Sequence, residues 1–258
     1  MAAGDEFTRL VEIMRKLRVQ CPWDRSQSHD TLRVYLLEEA YEVLHALDDH
    51  RYEDLREELG DLMLQIVFHA EIAEEAQQFN MEEVLRGINE KLVRRHPHVF
   101  GDGHAETPAD VVRRWESIKV GEEQKESSLD GVPAQLPALA RASRVLTKIR
   151  QTGVDPYHAK DAVAEARLWL GRLAEAQARK DEQEASRSTG MLSLALTAVA
   201  DSLRVNAEDA LREALARLSD AFRSEERRLK TEGRTFADLA PEELDRIAAR
   251  ILAQCEGV

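Results

Sequence analysis

The sequence predicts an all-α protein made of two tandem helical halves. Three observations carry that class. Leu, Ala, Glu and Arg dominate, while only 12 Gly and 7 Pro occur in 258 residues, a composition of strong helix formers. Apolar residues recur every three or four positions through most of the chain, which is the helical period. The pattern then lapses at "GEEQKESSLDGVPAQLP", residues 121–137, where Ser, Gly and two prolines mark a linker.

The first helix lies in "DEFTRLVEIMRKLR", with Phe7, Leu10, Val11, Met14 and Leu17 at helical spacing. A polar connector, "VQCPWDRSQSHD", is broken by Pro22, and Asp30 is placed to cap the next helix, which runs to Ala46–Asp48. Another helix runs from Tyr52 to about Gln77 and tolerates Gly60 at a cost of about 1 kcal/mol relative to Ala. Asn80 and Glu83 form a capping-box pair before "MEEVLRGINEKLVRRH", which Pro97 stops. Thr107, Pro108 and Asp110 give an N-cap, an N1 proline and an acidic N3 for a helix carrying "VVRRWESIK". Beyond the linker come helices in "ALARASRVLTKIRQTG", "AVAEARLWLGRLAEAQARKDEQEASR", "MLSLALTAVADSL", "AEDALREALARLSDAFRSEERRLK" and "PEELDRIAARILAQC". These readings divide the chain into a first domain over 1–125, a linker over 126–137 and a second domain over 138–258.

Apolar residues make up 43% of the chain and charged residues 33%, with a net charge of −13. That balance argues against non-specific binding to nucleic acid or an anionic membrane, both of which need a basic face. No apolar run approaches a membrane span, and a signal-peptide core is lacking, so the expected location is the cytoplasm. The two cysteines, Cys21 and Cys255, show no metal or disulfide spacing.

The chemistry concentrates in two acidic sets. In "YLLEEAYEVLHAL", Glu38, Glu39 and Glu42 share one helix face; in "LREELGDLMLQIVFHA", Glu58 and Asp61 are three apart on the next helix. A short connector makes the two helices antiparallel neighbours, so the acidic faces can meet. Such a group of carboxylates needs either protons or a cation, and hard oxygen donors suit Mg²⁺ or Mn²⁺ better than zinc. The bland alternative is a pair of solvated acidic faces. Further along, Lys91 and Arg95 are four apart, as are Trp115 and Lys119. Lys and Arg answer phosphate oxygens, and Trp offers a stacking face for a base. The histidines add little; His69 reads as a satisfied interior histidine.

Taken in order, "CPWDRSQSHDTLRVYLLEEAYEVLHAL", "EELGDLMLQIVFHA", "KLVRRHPHVFGD", "WESIK" and "SSLDGVPAQLPAL" resemble the MazG family of nucleoside triphosphate pyrophosphohydrolases. The family motif EExxE, a spacer and ExxD is met by Glu38, Glu39, Glu42, Glu58 and Asp61. The resemblance implies a dimeric all-α bundle with Mg²⁺, for which Mn²⁺ can substitute. It also implies cleavage of NTPs or dNTPs between the α and β phosphates. Glu39, Glu42, Glu58 and Asp61 carry over as metal ligands, and Glu38 as a further ligand or a water-orienting group. Lys91, Arg95, Trp115 and Lys119 match the family's nucleotide contacts. The second half departs from the pattern. Aligned through Gly190 and Gly60, it has Ser188 and Met191 where the ExxD acids stand, and "ARLWLGRL" in place of EExxE. It reads as a degenerate copy serving packing, dimerisation or regulation. The competing reading for the whole chain is a catalytically weak nucleotide-binding or regulatory helical module.

Overall fold

Hairpin closure explains how the first half is built. The computed structural model describes residues 2–256 except 109, 112, 113, 116, 117, 119–125 and 158. The chain is all-α and falls into two compact units, Met1–Glu122 and Glu123–Val258. The first contains α1 (Ala3–Gln20), α2 (Pro22–Ser26), α3 (Arg33–Asp48), α4 (Tyr52–Glu75), α5 (Met81–Arg95) and α6 (Pro97–Phe100). Beyond α6, the described residues Asp110, Val111, Arg114, Trp115 and Ile118 are helical, and Thr107 and Asp110 cap that segment reciprocally.

The antiparallel pair α3 and α4 forms because α3 ends in a six-to-one turn. The Arg51 N–H donates to the Ala46 carbonyl at 3.0 Å, and His50 takes the left-handed conformation, φ 55°. The core beneath this hairpin is Met14 from α1, Leu32, Val67, Phe68 and Ala70 from α4, and Met81 from α5. Two arginines fasten α1 to α4. Arg15 donates to both Glu74 carboxylate oxygens, at 3.0 and 2.8 Å. Arg18, only 8% exposed, pairs with Glu75 and also donates to the carbonyls of Asp24 and Gln27, which holds the α2 connector.

The second unit contains α7 (Ala138–Gln151), α8 (Ala159–Arg179), α9 (Glu182–Ser202), α10 (Ala207–Thr231), a 3₁₀ turn (Phe236–Asp238) and α11 (Pro241–Glu256). Small side chains let α8 and α9 approach: Ala162, Ala166, Ala195 and Ala198 are buried with Leu146 and Tyr157. A separate cluster of Ala221, Leu229, Ile247 and Ile251 joins α10 to α11. Beside it, Glu225 accepts from Arg250 at 3.0 Å and from Arg228 at 2.9 Å. These guanidiniums, Arg250 first, hold its carboxyl down to about 2 from 4.5. A depressed pKa stabilises the fold above the unfolded value and ceases to do so as the folded group protonates. Glu225→Gln should therefore cost about 1–2 kcal/mol at pH 7, both arginines being half exposed. Acid denaturation followed by circular dichroism should show that difference shrinking between pH 4.5 and 2.

Three sequence expectations are corrected. Asp30 does not cap α3: its N-cap is Leu32, and Ser28 and Thr31 bond each other reciprocally one turn earlier. The helix read through Arg187 instead breaks at Lys180, φ 55°, and Asp181 caps α9 through the Glu184 N–H at 3.0 Å. His69 is not a satisfied interior residue. Its Nδ1 lies 2.8 Å from Nδ1 of His29, and its Nε2 is buried without a hydrogen-bond partner. Among the described residues no helix is long and apolar enough to cross a membrane.

Candidate metal and nucleotide site

The closed α3–α4 hairpin fixes the register between the two acidic sets. Glu39 on α3 and Glu58 and Asp61 on α4 each present a carboxylate oxygen within 4.8 Å of the others. Glu42 faces the same place, and its charge acts on both Glu39 and Glu58. Glu38 is exposed on α3 and stands outside the group of three. Burial pushes the Glu39 carboxyl above its usual range, followed by the charges of Asp61, Glu42 and Glu58. Burial likewise raises Glu58, with Glu42, Asp61 and Glu57 adding to it. These are like charges confined together, and they make Glu39 and Glu58 harder to ionise.

Gln65, one turn beyond Asp61, completes the arrangement. Its amide lies near enough to Glu39 to favour the ionised carboxylate, the residue is 6% exposed, and its Oε1 is buried without a partner. A hard divalent cation fits this set: the donors are all oxygen, they are close, and they carry excess negative charge. Sequence reading missed Gln65 and Glu57. Gln65 was detectable only as i+4 from Asp61, a signal shared by many surface residues. Gly60, between Glu58 and Asp61, leaves open space: a Cβ built there meets nothing within 4 Å.

The basic and aromatic residues gather at the far end of α5. Arg95 is 6% exposed, and its guanidinium carbon lies 5.4 Å from the centroid of the Trp115 ring. His96 meets the same indole edge-on at 4.9 Å, a contact the sequence did not suggest. Lys91, one turn earlier on α5, is exposed. Lys119 lies outside the described residues. The structure thus makes two groups, the acids at the α3–α4 hairpin and the Arg95–Trp115–His96 stack.

Comparison with known proteins shows the family. The family model described as "MazG nucleotide pyrophosphohydrolase domain" matches residues 27–100, a span that holds the five acids, Lys91 and Arg95. A nucleoside triphosphate pyrophosphohydrolase/pyrophosphatase MazG from Thermotoga maritima is 38% identical, the match covering 94% of each chain. A nucleoside triphosphate pyrophosphohydrolase from Escherichia coli K12 is 35% identical over 97% of this chain and 98% of its own. One from Mycobacterium tuberculosis is 40% identical over 62% of this chain and 50% of its own. With relatives matched over nearly their whole length, the chain belongs to the MazG family of nucleoside triphosphate pyrophosphohydrolases.

Proposed function

We propose that the first unit hydrolyses NTPs and dNTPs between the α and β phosphates, with Mg²⁺ held by Glu39, Glu42, Glu58 and Asp61. The observation that carries this reading is the convergence of Glu39, Glu58 and Asp61 within 4.8 Å. When bound, the cation offsets phosphate charge and acidifies a coordinated water; Mn²⁺ has the same ligand preference. The protein's own groups do the rest. Gln65 favours the ionised form of Glu39. A carboxylate of the set, with exposed Glu38 the one left over from binding, accepts a proton from water as its oxygen bonds to the α phosphorus. The bond from that phosphorus to the bridging oxygen breaks, giving a nucleoside monophosphate and pyrophosphate. Lys91, Arg95 and Lys119 answer the phosphates, and Trp115 the base. The chemistry serves nucleotide-pool house-cleaning.

A homodimer belongs to the same proposal. Leu37 and Tyr41 on α3 are 60% and 50% exposed, and Leu59, Met63 and Ile66 on α4 are 50%, 39% and 40% exposed. Residues 59, 63 and 66 share a helix face, so an apolar strip borders the acids, and a second copy would cover it. Residues 138–258 serve packing or regulation, because no second converging group of carboxylates occurs there among the described residues. Pyrophosphate release from a panel of NTPs and dNTPs, with Mg²⁺ or with chelator, tests the reading. Release that requires the cation is expected. Tight nucleotide binding with no product over hours would favour a binding or regulatory module instead.

A further inference from the structure

The second unit repeats the hairpin of the first with its charge reversed. In both hairpins a non-glycine residue in the left-handed conformation ends the leading helix: His50 at φ 55° and Lys180 at φ 55°. Both turns close the same way. Arg51 N–H donates to Ala46 at 3.0 Å, and Asp181 N–H donates to Ala176 at 2.9 Å. Ala46 is 2% exposed and Ala176 0%. Gly60 and Gly190 both sit in open space on the following helix. Each second-unit landmark follows its counterpart by 130 residues.

That register places Trp169 at the position of Glu39, Arg172 at Glu42, Arg187 at Glu57, Ser188 at Glu58 and Met191 at Asp61. Trp169, 6% exposed, fills the place of the acidic cup. Its indole N–H donates to Glu165 at 3.0 Å. Ser188, fully buried, donates to Glu184 at 3.3 Å. Two guanidiniums then lie against the one ring, Arg172 at 4.5 Å and Arg187 at 5.8 Å from its centroid. Both arginines are exposed. Among the described residues neither forms an ion pair with a carboxylate; Glu165 and Glu184 are engaged by Trp169 and Ser188.

We infer that Arg172 and Arg187, held in place by Trp169, form a binding site for a phosphate oxyanion. A guanidinium matches phosphate oxygens two at a time. The ring aligns both arginines by cation–π contact, so less side-chain freedom is lost on binding. An anion beside them also offsets the positive charge that two arginines bring to one indole. Trp169 is itself 6% exposed and offers a nucleobase little surface; the ligand is recognised by its phosphates. Free pyrophosphate and the polyphosphate tail of a nucleotide share that chemistry. Naming either as the physiological effector rests on the reaction proposed for the first unit, whereas oxyanion binding itself does not.

Calorimetric titration of the full chain with inorganic pyrophosphate in excess EDTA tests the site without the metal chemistry of the first unit. Parallel titrations with a nucleoside triphosphate separate the two sources by affinity, and either preference supports the site. Saturable binding is expected, weakened at least tenfold in R172Q/R187Q, weakened less in R172K/R187K, and retained in D61N. A circular dichroism melt checks that each variant folds. No saturable binding to the folded wild-type chain, equal binding by R172Q/R187Q, or loss in D61N instead would overturn the inference.

Discussion

Asp61→Asn should lower Mg²⁺-dependent pyrophosphate release by about a thousandfold. Losing a cation that stabilises charge on the phosphates removes several kcal/mol, about 4, from the barrier reduction, and each 1.36 kcal/mol is tenfold. The same substitution should have the opposite sign for stability without metal. Asp61 is among the charges that hold Glu39 and Glu58 above their usual range, so neutralising it eases the repulsion. Metal-free Asp61→Asn should therefore unfold at a higher denaturant concentration than metal-free wild type. Mg²⁺ should raise the wild-type midpoint and leave the variant's almost unmoved. A variant that lost activity through misfolding would show the reverse order of midpoints, so one urea series with and without Mg²⁺ separates the two causes.

Arg18→Ala should destabilise the first unit by about 3 kcal/mol. Its side chain satisfies three partners, Glu75 and the carbonyls of Asp24 and Gln27, and stacks over Phe68 at 5.7 Å. Truncation strands the two carbonyls and one carboxylate together. The effect should depend on pH. Arg18 holds the Glu75 carboxyl below its ordinary 4.5, so this contribution is present above pH 4.5 and fades as the pH falls through the lower folded value. Urea unfolding of Arg18→Ala and wild type at pH 7 and pH 3 checks both points: a wide gap at the first, a narrower one at the second. Arg18→Lys should recover only part of the loss, since an ammonium cannot reach all three partners in the guanidinium's planar geometry.

The site was legible where chemistry follows helical spacing. Glu58 and Asp61 are three apart, Glu39 lies on the preceding helix, and the short connector at Asp49–Arg51 leaves an antiparallel hairpin as the simple solution. Side chains that act across the hairpin were not legible. Gln65 reaches Glu39 from the other helix, and a glutamine amid apolar residues carries no mark of that role. His96 meets Trp115 only because Pro97 turns the chain after α5.

Errors at helix ends share one cause. Asp30 carried the right side chain for a cap, but reciprocal Ser28–Thr31 bonds took over the preceding turn. Lys180 carried no break signal, because lysine seldom adopts positive φ. What holds it there is the Asp181 N–H bond to Ala176 and the cap Asp181 provides to Glu184. The charge reversal of the second hairpin was hidden for the same reason. "ARLWLGRL" showed the missing acids, but the approach of Arg187 to Trp169 required the position of that break.

The most direct test of the central claim is the fate of the solvent oxygen. Turnover of a dNTP in ¹⁸O-labelled water with Mg²⁺ should place the label in the nucleoside monophosphate and leave pyrophosphate unlabelled, with no product in chelator. Label in pyrophosphate, release of single phosphate, or product formation indifferent to the cation would contradict attack on the α phosphorus at the Glu39–Glu58–Asp61 site.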